Sequence, residues 1–290
     1  MPFGAVQLSP DTRAGNWDAC SVYHYNDTTL KGFSHTHLSG TGCIDLGDIL
    51  FRPTTLKPDL TTENIYQPAA FSHKDEDASA GYYSVVLKEE GIKAELTVTA
   101  HAGMHRYTFP SGKEASIIID LTHLLDNEYI YEAELEQTAA NEIIGMRRTR
   151  GWTDNQYVYF VAQFSKPFQA IDFIQNKKMV SAGVKLIGTD LQACLSFDNS
   201  NGEPVIAKVG LSIVSEKNAR ENLETEVIGF DFDAVRSAAR SAWEQALSAI
   251  TVEGGNTDDL KNFYTAMYHS MVVPNVVSDV NGEYRRHNME

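Results

Sequence analysis

From Gly81 to Ser212 the chain runs in short segments of alternating apolar and polar residues, broken by Gly, Asn, Asp and Pro. Tyr82–Leu87 and residues 92–100 have a period of two and flank Lys88-Glu89-Glu90-Gly91, which reads as a hairpin turn. Runs of the same kind cover residues 105–109, 115–121, 129–138, 142–149, 156–164, 169–173, 183–188, 191–196 and 205–212. Upstream, the pattern predicts strands at 3–8, 21–25 and 43–51, with Ser9-Pro10-Asp11-Thr12 as a turn. Pro53 and Pro58 bound a loop that continues to about Gly81, and its charged run His73-Lys74-Asp75-Glu76-Asp77 reads as a solvated turn. So many strands without intervening helices predict a mainly β chain built as a large antiparallel β-sandwich, a supersandwich.

Near Ser215 the period changes to that of a helix, over Glu216–Glu226, residues 231–250 and residues 258–273. Asp231 or Asp233 suits the N-cap of the second helix, and Asn256 or Thr257 that of the third. Leu260, Phe263, Tyr264, Met267 and Met271 recur at spacings of three and four, a broad apolar stripe that has to pack on something. Pro274 ends that helix, and Ser278-Asp279-Val280-Asn281-Gly282 makes a polar turn. The expected organisation is a sandwich over 1–214, a helical linker over 215–256, and a further helical unit over 257–290.

One stretch departs from both periods. Residues 32–42, Gly-Phe-Ser-His-Thr-His-Leu-Ser-Gly-Thr-Gly, pack two histidines, hydroxyl side chains and glycines into a segment with little apolar filler. Glycine permits close backbone approach, and hydroxyls with imidazoles supply donors and acceptors to a polar ligand. In an extended backbone His35 and His37 project from one side, towards a shared ligand. The equally weighted reading is that they brace neighbouring turns. Two nitrogens do not make a zinc site, and calcium prefers oxygen.

This stretch, with Val6-Gln7-Leu8-Ser9-Pro10-Asp11-Thr12 before it and Phe263-Tyr264-Thr265-Ala266-Met267-Tyr268-His269-Ser270 far downstream, resembles the N-terminal part of glycoside hydrolase family 92. Members of that family are calcium-dependent, inverting exo-α-mannosidases. The resemblance runs from about Pro2 to the last residue and covers only the first part of such an enzyme; the glycine-rich segment that the family carries upstream of Pro2 is not found here. It implies that residues 257–290 open an (α/α)6 barrel, cut after its first helix, and that the chain is an excised piece. The missing barrel would carry the catalytic acid, the base and most calcium ligands, so no catalytic or metal residue is carried over. It implies substrate contacts from Trp17, His35, Thr36, His37, Ser39, Gly40 and Asp279, lending one wall to a pocket for terminal α-mannosyl residues of glycans. Trp17 also reads as a packing tryptophan, and Asp279 as a turn residue satisfying its own amides. On this reading the chain is inactive alone. The competing reading is a free-standing β-sandwich module that binds carbohydrate or another protein.

Composition narrows the choice of partner. At 290 residues, with 42% hydrophobic and 22% charged residues, the chain is that of an ordinary globular protein. A net charge of −15 disfavours nucleic acid and anionic membrane surfaces, and suits a neutral sugar. No apolar run reaches membrane-spanning length. Cys20, Cys43 and Cys194 are too few and too scattered for a disulfide framework. Family members are usually exported, so the resemblance implies a periplasmic or secreted enzyme whose signal segment is absent here.

Overall fold

The computed structural model describes every residue except 16–19, 40–41, 63, 127–128, 181–182, 184 and 287–290. Two antiparallel sheets face each other. One has seven strands in the order β1 (Ser9–Asp11), β3 (Gly32–Ser34), β4 (Leu50–Thr54), β10 (Ala115–Asp120), β17 (Leu191–Phe197), β14 (Phe168–Gln175) and β15 (Lys178–Val180). The other has nine, in the order β16 (Leu186–Gly188), β11 (Tyr129–Ala139), β12 (Glu142–Arg150), β13 (Gln156–Phe164), β18 (Val205–Ser212), β9 (Ala102–Thr108), β8 (Ile92–Val98), β7 (Tyr82–Leu87) and β6 (Glu76–Ser79). A short pair, β2 (Thr29–Leu30) and β5 (Ala69–Ala70), completes the β structure among the described residues.

Alternation decides what each strand buries. In β10, Ile117 and Ile119 enter the core between the sheets, while Ile118 points outward to Cys194 and Ile174. The inter-sheet core joins Phe33, Phe51 and Leu195 of one sheet to Leu96, Tyr107, Phe160 and Phe164 of the other. The outer face of the nine-stranded sheet is covered by helix α1 (Glu216–Glu226), whose Ala219 and Leu223 pack on Met104 and Val161.

Three helices follow, as the periodicity predicts. Ser215 caps α1, accepting from the backbone N–H of Asn218 at 3.1 Å. Asp231 caps α2 (Phe232–Leu247), and Asn256 forms a capping box with Asp259 at α3 (Thr257–Ser270). Helix α2 lies against β7 and β8 because Gly81 leaves room: at its φ of +83°, a Cβ would sit 3.0 Å from that of Ala239. Helix α3 buries no residue fully, and its apolar stripe is only half covered.

The N-terminal quarter departs from the sequence reading. Ser9-Pro10-Asp11, expected as a turn, is strand β1; it tolerates Pro10 because it lies at the sheet edge, where a missing N–H costs nothing. Residues 3–8 and 21–25 form no strand: Ala5 and Val6 bond only to the Ala100 carbonyl, and Val22 has a φ of +68°. The strand expected over 43–51 starts only at Leu50, because Leu46, Gly47 and Ile49 adopt positive φ. Pro53 lies inside β4, not at its end, opposite Ile117 and beyond the reach of β3. Residues 3–8 and 21–25 are held by single backbone bonds to distant loops instead of by a ladder, so their period-two pattern does not make them strands.

The seat of α1 is tight. A Cβ on Gly210 would meet the Ala219 carbonyl at 2.4 Å and Leu223 Cβ at 2.5 Å. Gly210→Ala is expected to destabilise the chain by about 1–3 kcal/mol through overpacking. Urea unfolding checks this, and an unchanged midpoint would mean that α1 is loosely held.

Candidate functional site

The His35–His37 stretch becomes the first arm of a long hairpin. His35 N–H donates to the Asp48 carbonyl at 3.0 Å, Gly47 N–H to the Thr36 carbonyl at 2.8 Å, and His37 bridges Leu46. Residues 38–39 and 42–45 form the described part of its tip. Thr36 is fixed by Asp48, donating its hydroxyl to Oδ2 at 2.8 Å and accepting from the Asp48 N–H at 2.9 Å.

The two histidines part ways. His37 lies against Asp11, whose fully buried carboxylate also binds His123: Oδ1 is 2.8 Å from His37 Nε2, and Oδ2 is 2.7 Å from His123 Nε2. Ser34 donates to Oδ1 at 3.0 Å. The other nitrogen of His37, Nδ1, is 2.6 Å from the Gln7 carbonyl. Carboxylate and carbonyl can only accept, so this geometry suits an imidazolium donating from both nitrogens. Burial opposes the charge, but the field and hydrogen bond of Asp11 outweigh it and raise the pKa above its ordinary 6.5. Asp11 is held well below the usual carboxylate range: its burial is overcome by the charge of His37 and the bonds from His123 and His37.

His35 turns into the core. Its Nδ1 donates to the Ile49 carbonyl at 2.6 Å, its Nε2 is 3.0 Å from His105 Nε2, and the ring meets Phe51 edge-on at 5.1 Å. Tyr107 hydroxyl bonds His105 Nδ1 at 2.8 Å. Burial pushes His35 down to about 4 and His105 well below its ordinary value, so both rings are neutral. The shared face expected of His35 and His37 is therefore not a shared ligand site. A bulky aromatic core recruits one ring and a buried carboxylate the other.

A cleft of about 620 Å³ opens where the sandwich meets α2 and α3. It brings together His37 and Ser39 with Gln7, Tyr23, Tyr25, His73, Glu76, Tyr83, Trp243 and Tyr268. Ser39 donates to Gln7 Oε1 at 3.0 Å, and Gln7 Nε2 donates to the Val272 carbonyl just beyond α3 at 2.9 Å. Glu76 accepts from Tyr23 hydroxyl at 3.1 Å and Tyr83 hydroxyl at 2.7 Å, and lies 2.5 Å from His73 Nδ1. The His73 ring stacks on Tyr25 at 4.1 Å. Aromatic faces with a few fixed polar groups are what a pyranose needs: apolar C–H faces on one side, hydroxyls on the edge.

The charged run around His73, read as a solvated turn, thus supplies a wall of the cleft; the signal was its interruption by a histidine between aromatic segments at Phe71 and Tyr82. Trp17 and Gly40 lie outside the described residues. His35 and Thr36 do not line the cleft, and neither does Asp279. The Asp279 carboxylate turns inward, accepting from Ser212 Oγ at 2.7 Å, Asn218 Nδ2 at 2.8 Å and Asn222 Nδ2 at 2.7 Å. Its partners are on α1 and β18, not the amides of its own turn. Among the described residues, no group of three or more His, Cys, Asp or Glu side chains is disposed around a cation, and the buried carboxylates of Asp11 and Asp279 are already filled by protein donors. The described residues do not fit a calcium site.

The His37 pair ties stability to pH. A raised imidazolium stabilises fully below pH 6.5 and loses its contribution as pH rises through the folded value; the lowered Asp11 loses its own as pH falls below 3.8. His35 runs oppositely, favouring the fold above 6.5 and costing stability as pH falls towards 4. Nitrogen NMR at pH 6.5 is expected to show His37 doubly protonated and His35 neutral, with Asp11→Asn returning His37 to the neutral form. A neutral His37 in the unaltered chain at that pH would contradict the arrangement.

The likeness to known proteins spans the same structure. A profile of the glycosyl hydrolase family 92 N-terminal domain matches residues 1–212, and that of the family's catalytic domain matches residues 218–290. A family GH92 α-mannosidase from Bacteroides thetaiotaomicron, solved in complex with mannoimidazole, superposes with a TM-score of 0.94 at 37% identity, over 100% of this chain and 39% of that one. An inverting mannosidase of the same family, from strain VPI-5482 of that species, shares the fold at 23% identity and a TM-score of 0.84, over 98% of this chain and 38% of its own. An uncharacterized secreted glycosidase from Arthroderma benhamiae is 30% identical over 98% of this chain and 40% of its own length. The chain spans about 40% of the length of these relatives. With both domain profiles matched in order along a sandwich followed by helices, the chain belongs to glycosyl hydrolase family 92.

Proposed function

We propose that this chain is the pocket-lending N-terminal part of an inverting exo-α-mannosidase that removes terminal α-mannosyl residues from glycans. The observation that supports it most is the likeness over the whole chain to an α-mannosidase solved with mannoimidazole, joined to a cleft whose lining suits a pyranose. Hydrolysis with inversion needs a carboxylic acid at the leaving oxygen and a carboxylate that activates water on the opposite face. Asp11 and Asp279 are consumed by internal hydrogen bonds, and Glu76 by two tyrosines and His73. We assign the acid, the base and most calcium ligands to the remainder of the catalytic domain.

What this chain contributes is binding and shape. Ser39 presents its hydroxyl at the cleft, His37 braces the hairpin beneath it through Asp11 and the Gln7 carbonyl, Gln7 couples the hairpin to the end of α3, and the tyrosines with Trp243 and Tyr268 supply apolar faces. The half-covered stripe of α3 supports a unit that continues into further helices over a free-standing binding module. Secretion or a periplasmic location accords with the secreted relative, and among the described residues no helix is long and apolar enough to cross a membrane.

The test is hydrolysis of an aryl α-mannoside. The 290-residue chain is expected to give none, and the chain continued through its catalytic domain to give turnover that a chelator abolishes. In that longer protein, His37→Ala is expected to raise the barrier by about 1–3 kcal/mol with bound calcium unchanged. Both His37→Ala, which strips the buried Asp11 of a donor, and His35→Ala should lower stability, but only His37→Ala is expected to change the activity of the folded protein. Chelator-resistant turnover by the short chain would overturn the proposal.

A further inference from the structure

The turn between β8 and β9 joins parts of the chain that are remote in sequence. The Ala100 carbonyl accepts from the backbone N–H of Ala5 at 2.8 Å and of Val6 at 3.2 Å, and the His101 carbonyl accepts from that of Leu211 at 2.9 Å. The side chain of His101, a residue only 8% exposed, reaches the other way. Its Nδ1 is 2.6 Å from Glu226 Oε1 at the end of α1, and its Nε2 is 2.9 Å from the Ser278 carbonyl beyond α3. Glu226 Oε2 also accepts from His101 N–H at 2.8 Å and from Thr99 Oγ1 at 2.5 Å. His101 belongs to the sandwich, whereas Glu226 and Ser278 belong to the helical part that opens the catalytic domain.

The segment from Asn275 to Arg285 enters no apolar core among the described residues, and side-chain hydrogen bonds hold it instead. Asp279 takes three neutral donors, from Ser212, Asn218 and Asn222. Asn218 also donates to Glu283 Oε2 at 2.8 Å, and Val280 N–H donates to Asn222 Oδ1 at 2.9 Å. Two other cations border the joint, and both have carbonyl partners. Arg285 donates to those of Ile213 and Val214 at 2.8 and 3.2 Å, and Lys208 to that of Val227 at 3.0 Å. The groups facing the His101 ring are the carboxylates of Glu226 and Asp279 and the Ser278 carbonyl, all acceptors. A neutral imidazole carries one N–H and serves one of its two contacts; an imidazolium serves both.

We propose that His101 is a proton-operated clasp between the sandwich and the catalytic domain: protonated, it binds both α1 and the segment after α3, and neutral, it releases one of them. Burial opposes the charge on His101, but the hydrogen bond and field of Glu226, helped by the Ser278 carbonyl and Asp279, outweigh it and raise the pKa above 6.5. Burial of Glu226 is likewise outweighed, by its bonds from His101 and Thr99, and its pKa is lowered from 4.5. The clasp is therefore complete between pH 4.5 and 6.5 and slackens as pH rises through the folded value of His101. It weakens again below 4.5, as pH falls through the lowered value of Glu226. The segment it holds leads from Val272, at the cleft, into the remainder of the catalytic domain, so the clasp sets how firmly that domain is seated. This is independent of which sugar the cleft takes.

Amide hydrogen exchange of residues 279–283, measured from about pH 5 to about pH 8.5 in the protein continued through its catalytic domain and referred to the intrinsic rate at each pH, tests the clasp. Protection is expected to fall about tenfold as pH rises, the loss of one charge-assisted hydrogen bond, with the amides of β10 unchanged. In His101→Gln, which keeps an amide donor but has no proton to lose, protection is expected to stay at the lower level throughout. Glu226→Gln, which removes the facing charge, is expected to move the fall to lower pH. A flat profile in the unaltered protein, a fall that β10 shares, a fall that persists in His101→Gln, or one unmoved by Glu226→Gln would overturn the proposal.

Discussion

A single buried charge organises the hairpin. An uncompensated carboxylate at the depth of Asp11 would cost several kcal/mol, so the surrounding chain must supply donors, and it does so from two separate segments. His37 and Ser34 come from one, His123 from the loop after β10, and the main chain of β1 positions the carboxylate itself. Behind them, Arg147 reaches the His123 carbonyl and lies 3.0 Å from Asp48 Oδ1, close enough for an ion pair though misaligned for a hydrogen bond. Because Asp48 also fixes Thr36, the polar cluster reaches both arms of the hairpin. The tip is thereby presented to the cleft at a set height.

Two kinds of buried histidine result from one short motif. The pKa of His37 is raised because its shortest contacts, the Asp11 carboxylate and the Gln7 carbonyl, can only accept, and that of His35 is lowered because it is buried in an aromatic core with His105, Tyr107 and Phe51. Burial alone does not decide the protonation state; the identity of the facing atom does. The consequence for function is a division of labour, with His35 stabilising the hairpin base and His37 connecting the buried carboxylate to the cleft.

The sandwich from Tyr82 onward was legible because its strands bury one face or both, so period two is written directly into the residues; β13, β18 and α1 begin and end where the pattern places them. The helix caps were legible for the same local reason. The first eighty residues were not. There Asp11, Asp45 and Asp48 do the work that a hydrogen-bonded ladder does elsewhere, and a partner over a hundred residues away, such as His123 or Gln156, leaves no trace in local periodicity. Within the candidate site, His37 and Ser39 were legible from composition. Glu76 and His73 were not, because they sit in a run that looks solvated.

The central claim is that the hairpin tip, held from beneath by Asp11, forms part of the sugar pocket once the catalytic domain is complete. Amide hydrogen exchange across residues 36–46 of the protein continued through that domain, with and without a saturating α-mannoside, tests it most directly. The account predicts slowed exchange at His37, Leu38 and Ser39 on binding, with the amides of β10 unchanged. Exchange at the tip that is indifferent to an occupied active site would contradict it.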